Sequence, residues 1–251
     1  MTDLRDSILF FDSGVGGLTV LSECVKKLQG VRFAYFGDNE NAPYGNLSPT
    51  QIEARVFSVF ESFAPFPPRA IVLACNTVTA VCAEKLRKKY SFPVIGAEPA
   101  VFPALRALQE REEAFVFTTR ATFESLRFHN LCARAQRAYA HAQLRSFPCD
   151  ALAGEIERQI FNLQNFNLAP FLPQGNPDAV VLGCTHYSFL KPQISAYYNC
   201  PIYDSATGIC RRIESLLGLV TTENHTPFSP SVLFLGNAKS HNQKVFEHLF
   251  G

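Results

Sequence analysis

The chain has 251 residues, 47% of them apolar and 18% charged, which is enough to bury one large core or two smaller ones and excludes a disordered chain. Lys and Arg total 23 against 22 for Asp and Glu, so no net field draws nucleic acid or an anionic membrane surface, and a small-molecule partner is expected. No run of about 20 apolar residues marks a membrane span, the start of the chain does not read as a secretory leader, and the eight cysteines are scattered, which reads as free thiols in the cytoplasm.

Taken in chain order, Ser7 to Phe11 reads as a strand, Leu18 to Leu28 as a helix, Arg32 to Phe36 as a strand and Thr50 to Phe63 as a helix. Ala70 to Ala74 (strand), Thr77 to Tyr90 (helix) and Pro93 to Ile95 (strand) continue the alternation. Beyond them come strands at Ala114 to Phe117 and Gln143 to Phe147, a helix at Ala151 to Leu163, a strand at Ala179 to Leu182, a helix at Thr207 to Leu217 and a strand at Val232 to Leu235. Strands alternating with helices predict an α/β fold with mostly parallel sheets, in which ligands bind beyond the carboxyl ends of the strands.

The chain also repeats itself. Ala70-Ile71-Val72-Leu73-Ala74-Cys75-Asn76-Thr77 is echoed by Ala179-Val180-Val181-Leu182-Gly183-Cys184-Thr185-His186, and Phe11-Asp12-Ser13-Gly14 more faintly by Tyr203-Asp204-Ser205-Ala206. Two similar α/β domains related by a pseudo-twofold are therefore expected, with the active site in the cleft between them. Residues 1–96 with 207–251 form the first, discontinuous domain in this reading, and 97–206 form the second.

Cys24, Cys82, Cys132, Cys149, Cys200 and Cys210 read as small buried hydrophobes. Cys75 and Cys184 differ, because each ends a strand and is followed at once by hydrogen-bonding residues. Two thiols at one cleft suit inversion of a carbon centre, which needs a base on one face and an acid on the other. A free thiol is only slightly ionised at neutral pH, so the abstracting sulfur needs a neighbouring charge or dipole. His186 is placed to supply one beside Cys184, and Asp12 stands ready for the other thiol or for a substrate ammonium. His129, His141, His225, His241 and His248 read as structural, and Glu155 reads either as a solvated helix residue or as a support for His186.

Asp12-Ser13-Gly14-Val15-Gly16-Gly17 links a strand to a helix, a place suited to holding a carboxylate on backbone N–H groups. It is not a dinucleotide loop, since Thr19 stands where the last glycine belongs. Pro43-Tyr44-Gly45 reads as a turn at the cleft. Cys184-x-His186 is the one tight Cys/His pair and no C-x-x-C accompanies it, so no metal is expected. No lysine motif suggests pyridoxal phosphate.

Five ordered segments, Phe11 to Gly17, Gly37-Asp38 with Pro43-Tyr44-Gly45, Ala74 to Thr77, Gly96-Ala97-Glu98-Pro99 and Gly183-Cys184-Thr185-His186, resemble the bacterial glutamate racemases of the aspartate/glutamate racemase superfamily. The resemblance covers nearly the whole chain. It implies that Cys75 exchanges a proton with the D enantiomer and Cys184 with the L enantiomer, assisted by Asp12 and His186, with Glu155 supporting His186. It further implies that Ser13, Tyr44, Gly45, Asn76, Thr77, Thr185 and His186 contact the substrate, and that Thr119 and Thr122 help hold a carboxylate, although Thr118 stands where the family has glycine. A homodimer without cofactor, supplying D-glutamate for peptidoglycan, is the expected form. The alternatives are an aspartate racemase, a thiol hydrolase with Cys184 as nucleophile, and a non-catalytic binding protein on the same scaffold.

Overall fold

The structure is a computed structural model that describes residues 3–219 and 232–250; His225 lies outside them. In chain order the elements are β1 (Ser7–Asp12), α1 (Gly17–Lys27), β2 (Arg32–Gly37), α2 (Pro49–Glu61), β3 (Ala70–Leu73), α3 (Asn76–Lys89), β4 (Val94–Gly96), α4 (Val101–Ala107), β5 (Glu113–Thr118) and α5 (Arg120–Phe123). They continue with α6 (Leu126–Ala138), β6 (Gln143–Pro148), α7 (Asp150–Arg158), β7 (Ala179–Gly183), α8 (Lys191–Tyr198), β8 (Ile202–Tyr203), α9 (Ala206–Leu217), β9 (Val232–Leu235) and α10 (Lys239–Phe250). Two parallel sheets result, one ordered β4-β3-β1-β2-β9 and the other β6-β5-β7-β8. The expected α/β class is what forms.

Every residue of β1, from Ser7 to Asp12, is buried, because a central parallel strand is covered on both faces. Its alternate side chains serve two cores. Ile8 and Phe10 pack with Leu18, Leu21 and Val25 of α1, while Leu9 and Phe11 pack with Ile52, Val56 and Phe60 of α2 and Val78 of α3. In the second sheet Phe115 and Phe117 face Leu152 and Ile156 of α7, and Ala114 and Val116 face Leu105 of α4 and Phe128 of α6. The cluster containing Ile8 and Phe10 also contains Phe115 and Phe117, so one apolar core runs through both sheets.

Local signals start and stop these helices. Ser48 and Gln51 form a reciprocal capping box ahead of Pro49, the first residue of α2, and Gly218 closes α9 in the left-handed region at φ 62°. The expected helix from Ala151 to Leu163 stops instead at Arg158. The next residues bond locally, with Asn165 Nδ2 donating to Asn162 Oδ1 at 2.9 Å, an alternative that short amide side chains offer to the helical ladder. Helices α4, α5, α6, α8 and α10 and the two-residue strand β8 lie outside the expected set.

The chain leaves the first sheet after Gly96 and returns to it at β9, whose Val232 to Leu235 pair with Phe33 to Phe36 of β2. Before that return, α9 lies against α1, and the buried sulfurs of Cys24 and Cys210 face one another at 2.6 Å.

Phe11 is fully buried, stacked on Phe36 at 5.8 Å and edge-on to Phe60 at 5.4 Å. Phe11→Ala should cost about 3–5 kcal/mol of unfolding free energy, read from urea denaturation, and a loss below about 1 kcal/mol would mean that this core repacks freely.

Candidate active site

The carboxyl ends of both sheets meet, and the loops that leave them form one closed site. From the first sheet come Asp12 and Ser13 after β1, the turn at Tyr44–Asn46 after β2, and Cys75, Asn76 and Thr77 where β3 runs into α3. The second sheet supplies Thr119 and Thr122 after β5, one face of α7 after β6, and Cys184, Thr185 and His186 after β7. Each cysteine stands where strand gives way to helix, with Cys75 preceding α3 and Cys184 preceding a 3-10 turn, Thr185–Leu190.

Contacts across the cleft join the two sets. Thr77 Oγ1 lies 2.9 Å from Thr119 Oγ1 and 3.4 Å from Thr122 Oγ1, and Thr185 Oγ1 donates to Asp12 Oδ2 at 3.1 Å. Gly45 is so close to Thr119 that an added Cβ would lie 3.0 Å from the threonine Cβ. At Gly16 the approach is tighter still, since an added Cβ would stand 2.5 Å from His186 Nδ1. Both thiols are almost sealed, with Cys75 6% and Cys184 7% exposed. Asn76 keeps both side-chain polar atoms buried without a protein partner, an arrangement that suits a polar ligand.

The two sulfurs have opposite electrostatic neighbours. Cys75 Sγ is 3.7 Å from Ser13 Oγ. Burial, reinforced by the charge of Asp12, pushes its thiol up to about 12. Asp12 is itself fully buried, and burial raises its carboxyl above the ordinary range against the pull of His186, the Gly14 N–H and the Thr185 hydroxyl. Cys184 Sγ is 3.9 Å from His186 Nδ1. The other nitrogen of that ring, Nε2, is 2.6 Å from Glu157 Oε1. Burial works against the imidazolium, but the Cys184 sulfur and the Glu157 carboxylate hold His186 well above its ordinary value. Glu157 moves the other way despite its burial, its carboxyl lowered chiefly by His186.

Glu157 replaces Glu155 in the expected arrangement. Glu155 turns away to Arg158 and Gln159 on its own helix. Glu157 lies one turn beyond the buried Ala153 and adjoins Ile156, so α7 carries it inward. The spacing of that apolar stripe was the available signal. Glu157 Oε1 also accepts from the Val15 N–H at 3.0 Å, tying α7 to the glycine loop of the first sheet.

Of the other expected residues, Ser13 touches Cys75 and His186 touches Cys184, Asp12 meets Thr185, and Thr77, Thr119, Thr122 and Gly45 meet one another, with Asn76 following Cys75. Tyr44 differs in one respect, because its hydroxyl donates to Asp38 Oδ2 at 2.5 Å. A cavity of about 930 Å³, lined by Glu98, Arg127, Asp204 and Arg212 among others, contains neither thiol. Among the described residues no group of three or more His, Cys, Asp or Glu side chains is placed to hold a metal ion.

A model of the Asp/Glu/hydantoin racemase family matches residues 16–213. A glutamate racemase of Clostridium acetobutylicum is 36% identical over 224 residues, covering 86% of this chain and 86% of its own. The crystal structure of Escherichia coli glutamate racemase, in complex with L-glutamate and the activator UDP-MurNAc-Ala, superposes with a TM-score of 0.76 at 28% identity over 98% of this chain and 94% of that one. A glutamate racemase from Campylobacter jejuni has the same fold, with a TM-score of 0.78 at 24% identity over 96% of this chain and 97% of its own.

The His186–Glu157 pair makes stability depend on pH. His186 keeps its charge in the folded protein above 6.5, the ordinary value, so its contribution is complete below that pH and is lost as pH rises through the raised folded value. Glu157 stays ionised below its ordinary 4.5, so its contribution is present above that pH and is lost as pH falls through the lowered folded value. Glu157→Gln should therefore cost most, about 3 kcal/mol, in the window between these two ordinary values. Urea unfolding of wild type and variant from about pH 3 to 10 measures it, and a difference independent of pH would refute an ionic pair.

Proposed function

The chain belongs to the Asp/Glu/hydantoin racemase family, and from that membership we propose that it interconverts L- and D-glutamate by a two-base mechanism without a cofactor. The observation that carries this reading is the pair of buried cysteines from opposite sheets whose neighbours meet across the cleft, Thr185 beside Cys184 donating to Asp12, which precedes the Ser13 that touches Cys75. Inversion at Cα needs one group to remove the proton from one face while another delivers a proton to the opposite face.

In the direction from L to D, Cys184 as thiolate takes the Cα proton, forming an S–H bond as the C–H bond breaks. The electron pair left on carbon takes the proton of the Cys75 thiol from the other face. The product leaves Cys184 protonated and Cys75 as thiolate, which is the starting state for the reverse reaction. His186, kept cationic by Glu157, offers the counter-charge that a sulfur anion at Cys184 needs. Burial and Asp12 keep Cys75 in its thiol form, ready to donate, and Asp12 is also placed to meet the substrate ammonium.

The substrate carboxylates would be held by the hydroxyls of Ser13, Thr77, Thr119, Thr122 and Thr185, the Asn76 amide and the backbone at Tyr44 and Gly45. Closure of these groups around the ligand excludes water, which strengthens each of the electrostatic contacts. In this reading residues 1–96 with 207–251 act as one domain and 97–206 as the other, the protein works as a cytoplasmic homodimer, and its product serves peptidoglycan synthesis. A thiol hydrolase would use Cys184 and His186 but leave Cys75 without a role.

The test is incubation of each enantiomer in D₂O, following optical rotation by circular dichroism and Cα deuteration by NMR. Both L- and D-glutamate should racemise with deuterium entering the product, and faster turnover of aspartate would overturn the substrate assignment. Cys75→Ser and Cys184→Ser should each lose about 10²- to 10⁴-fold in rate, since a hydroxyl is a far weaker base than a thiolate. Either variant turning over near the wild-type rate would remove the two-base assignment.

A further inference from the structure

Asp38 lies just beyond β2 and is 4% exposed, yet it is held as an anion. Arg55 of α2 donates to it with both arms of its fork, Nε to Oδ2 and Nη2 to Oδ1, each at 2.6 Å. The Tyr44 hydroxyl donates to Oδ2 at 2.5 Å, and Asn41 Nδ2 to Oδ1 at 3.2 Å. Burial opposes the charge, but these donors, Arg55 foremost, keep the carboxyl below its ordinary value. Tyr44 is 1% exposed and has committed its only proton to Asp38. Its hydroxyl therefore has no donor left for a substrate, and what the residue brings to the site is its backbone and the position of the following glycine, pressed against Thr119.

Resting on the racemase reading, we propose that Arg55 and Asp38 are positioning residues for substrate binding. The ion pair locks the Tyr44 phenol, and the locked phenol sets the Tyr44–Gly45 wall of the site against Thr119 and beside Cys75. The guanidinium acts through Asp38 and the Tyr44 phenol beside it, so the pair governs how well glutamate is held and leaves the proton transfers to the sulfurs. A lysine at position 55 would keep the charge but lose the fork, and could not engage both oxygens in the same geometry.

Steady-state racemisation by wild type, Arg55→Ala, Arg55→Lys, Tyr44→Phe and the Arg55→Ala/Tyr44→Phe double variant tests the proposal. Arg55→Ala and Tyr44→Phe should each raise KM for glutamate by about tenfold or more, as for loss of a charge-assisted hydrogen bond, with kcat within about threefold of wild type. Arg55→Lys should fall between wild type and Arg55→Ala. The double variant should be no worse than the poorer single one by more than about twofold, because both changes break one chain of contacts. Millimolar guanidinium should restore part of the KM of Arg55→Ala. If that variant does not fold by circular dichroism, the soluble Arg55→Lys and Tyr44→Phe carry the test. An unchanged KM in these variants, a fall in kcat alone, or multiplying effects in the double variant would overturn it. A wild type inert toward glutamate would instead overturn the racemase reading beneath it.

Discussion

A methyl group at Gly16 would occupy the space of Thr185 and His186, so the meeting of the two sheets' loops depends on one missing Cβ. Glycine at that position permits the backbone of the first sheet's loop to come against the second sheet's cysteine turn. The neighbouring Gly14 is constrained in the same manner, with the Glu157 carboxylate filling the place of a side chain and the Tyr35 hydroxyl donating to its carbonyl at 2.7 Å. Once the loop is held this close, the Val15 N–H reaches Glu157 and the Thr185 hydroxyl reaches Asp12. These contacts set two carboxylates and an imidazole between the sheets, with each thiol next to them largely shielded from water.

The internal repeat supplies the two thiols, and the departures from it make them different. In the first sheet the cysteine strand β3 lies beside β1, which ends in Asp12; in the second, β7 lies beside β8, which is followed by Asp204. Asp12 turns to Thr185 and Gly14 inside the cleft, whereas Asp204 is taken by Lys191 at 2.9 Å. The residue two places after the cysteine is Thr77 in one half and His186 in the other. One sulfur thus has an acidic neighbour and the other a basic one. A symmetric pair of sites would leave both sulfurs in the same protonation state, while a reaction that takes a proton on one face and gives one on the other needs them unlike.

All the strands but β8, and the repeated cysteine motif, were legible because apolar runs of strand length and a repeated motif are local features. Glu157 was not, since two acids two residues apart on one helix are separated only by which of them follows the buried face set by Ala153 and Ile156. The Arg55–Asp38–Tyr44 chain was hidden for a related reason. Its members come from α2, from the end of β2 and from a 3-10 turn, and only the packing of α2 on the sheet brings the guanidinium to the carboxylate. Helix α6 escaped notice because polar residues are interspersed along it and only Phe128, Leu131 and Ala135 are buried, so its apolar stripe is narrow. Strand β8 is two residues long and has no periodicity to detect.

The groups that make the contacts across the cleft are the groups that carry the charge. Val15 is held by the same Glu157 oxygen that faces His186, and Thr185 by the Asp12 carboxylate, whose charge also acts on Cys75. A proton moved from one sulfur to the other changes the charge beside each of these carboxylates, and so changes the strength of the bonds they accept from the opposite sheet. In the proposed mechanism each turnover leaves the two thiols with their protonation exchanged. The bonds accepted across the cleft by Glu157 and Asp12 are therefore set by the same charges that the proposed proton transfers move.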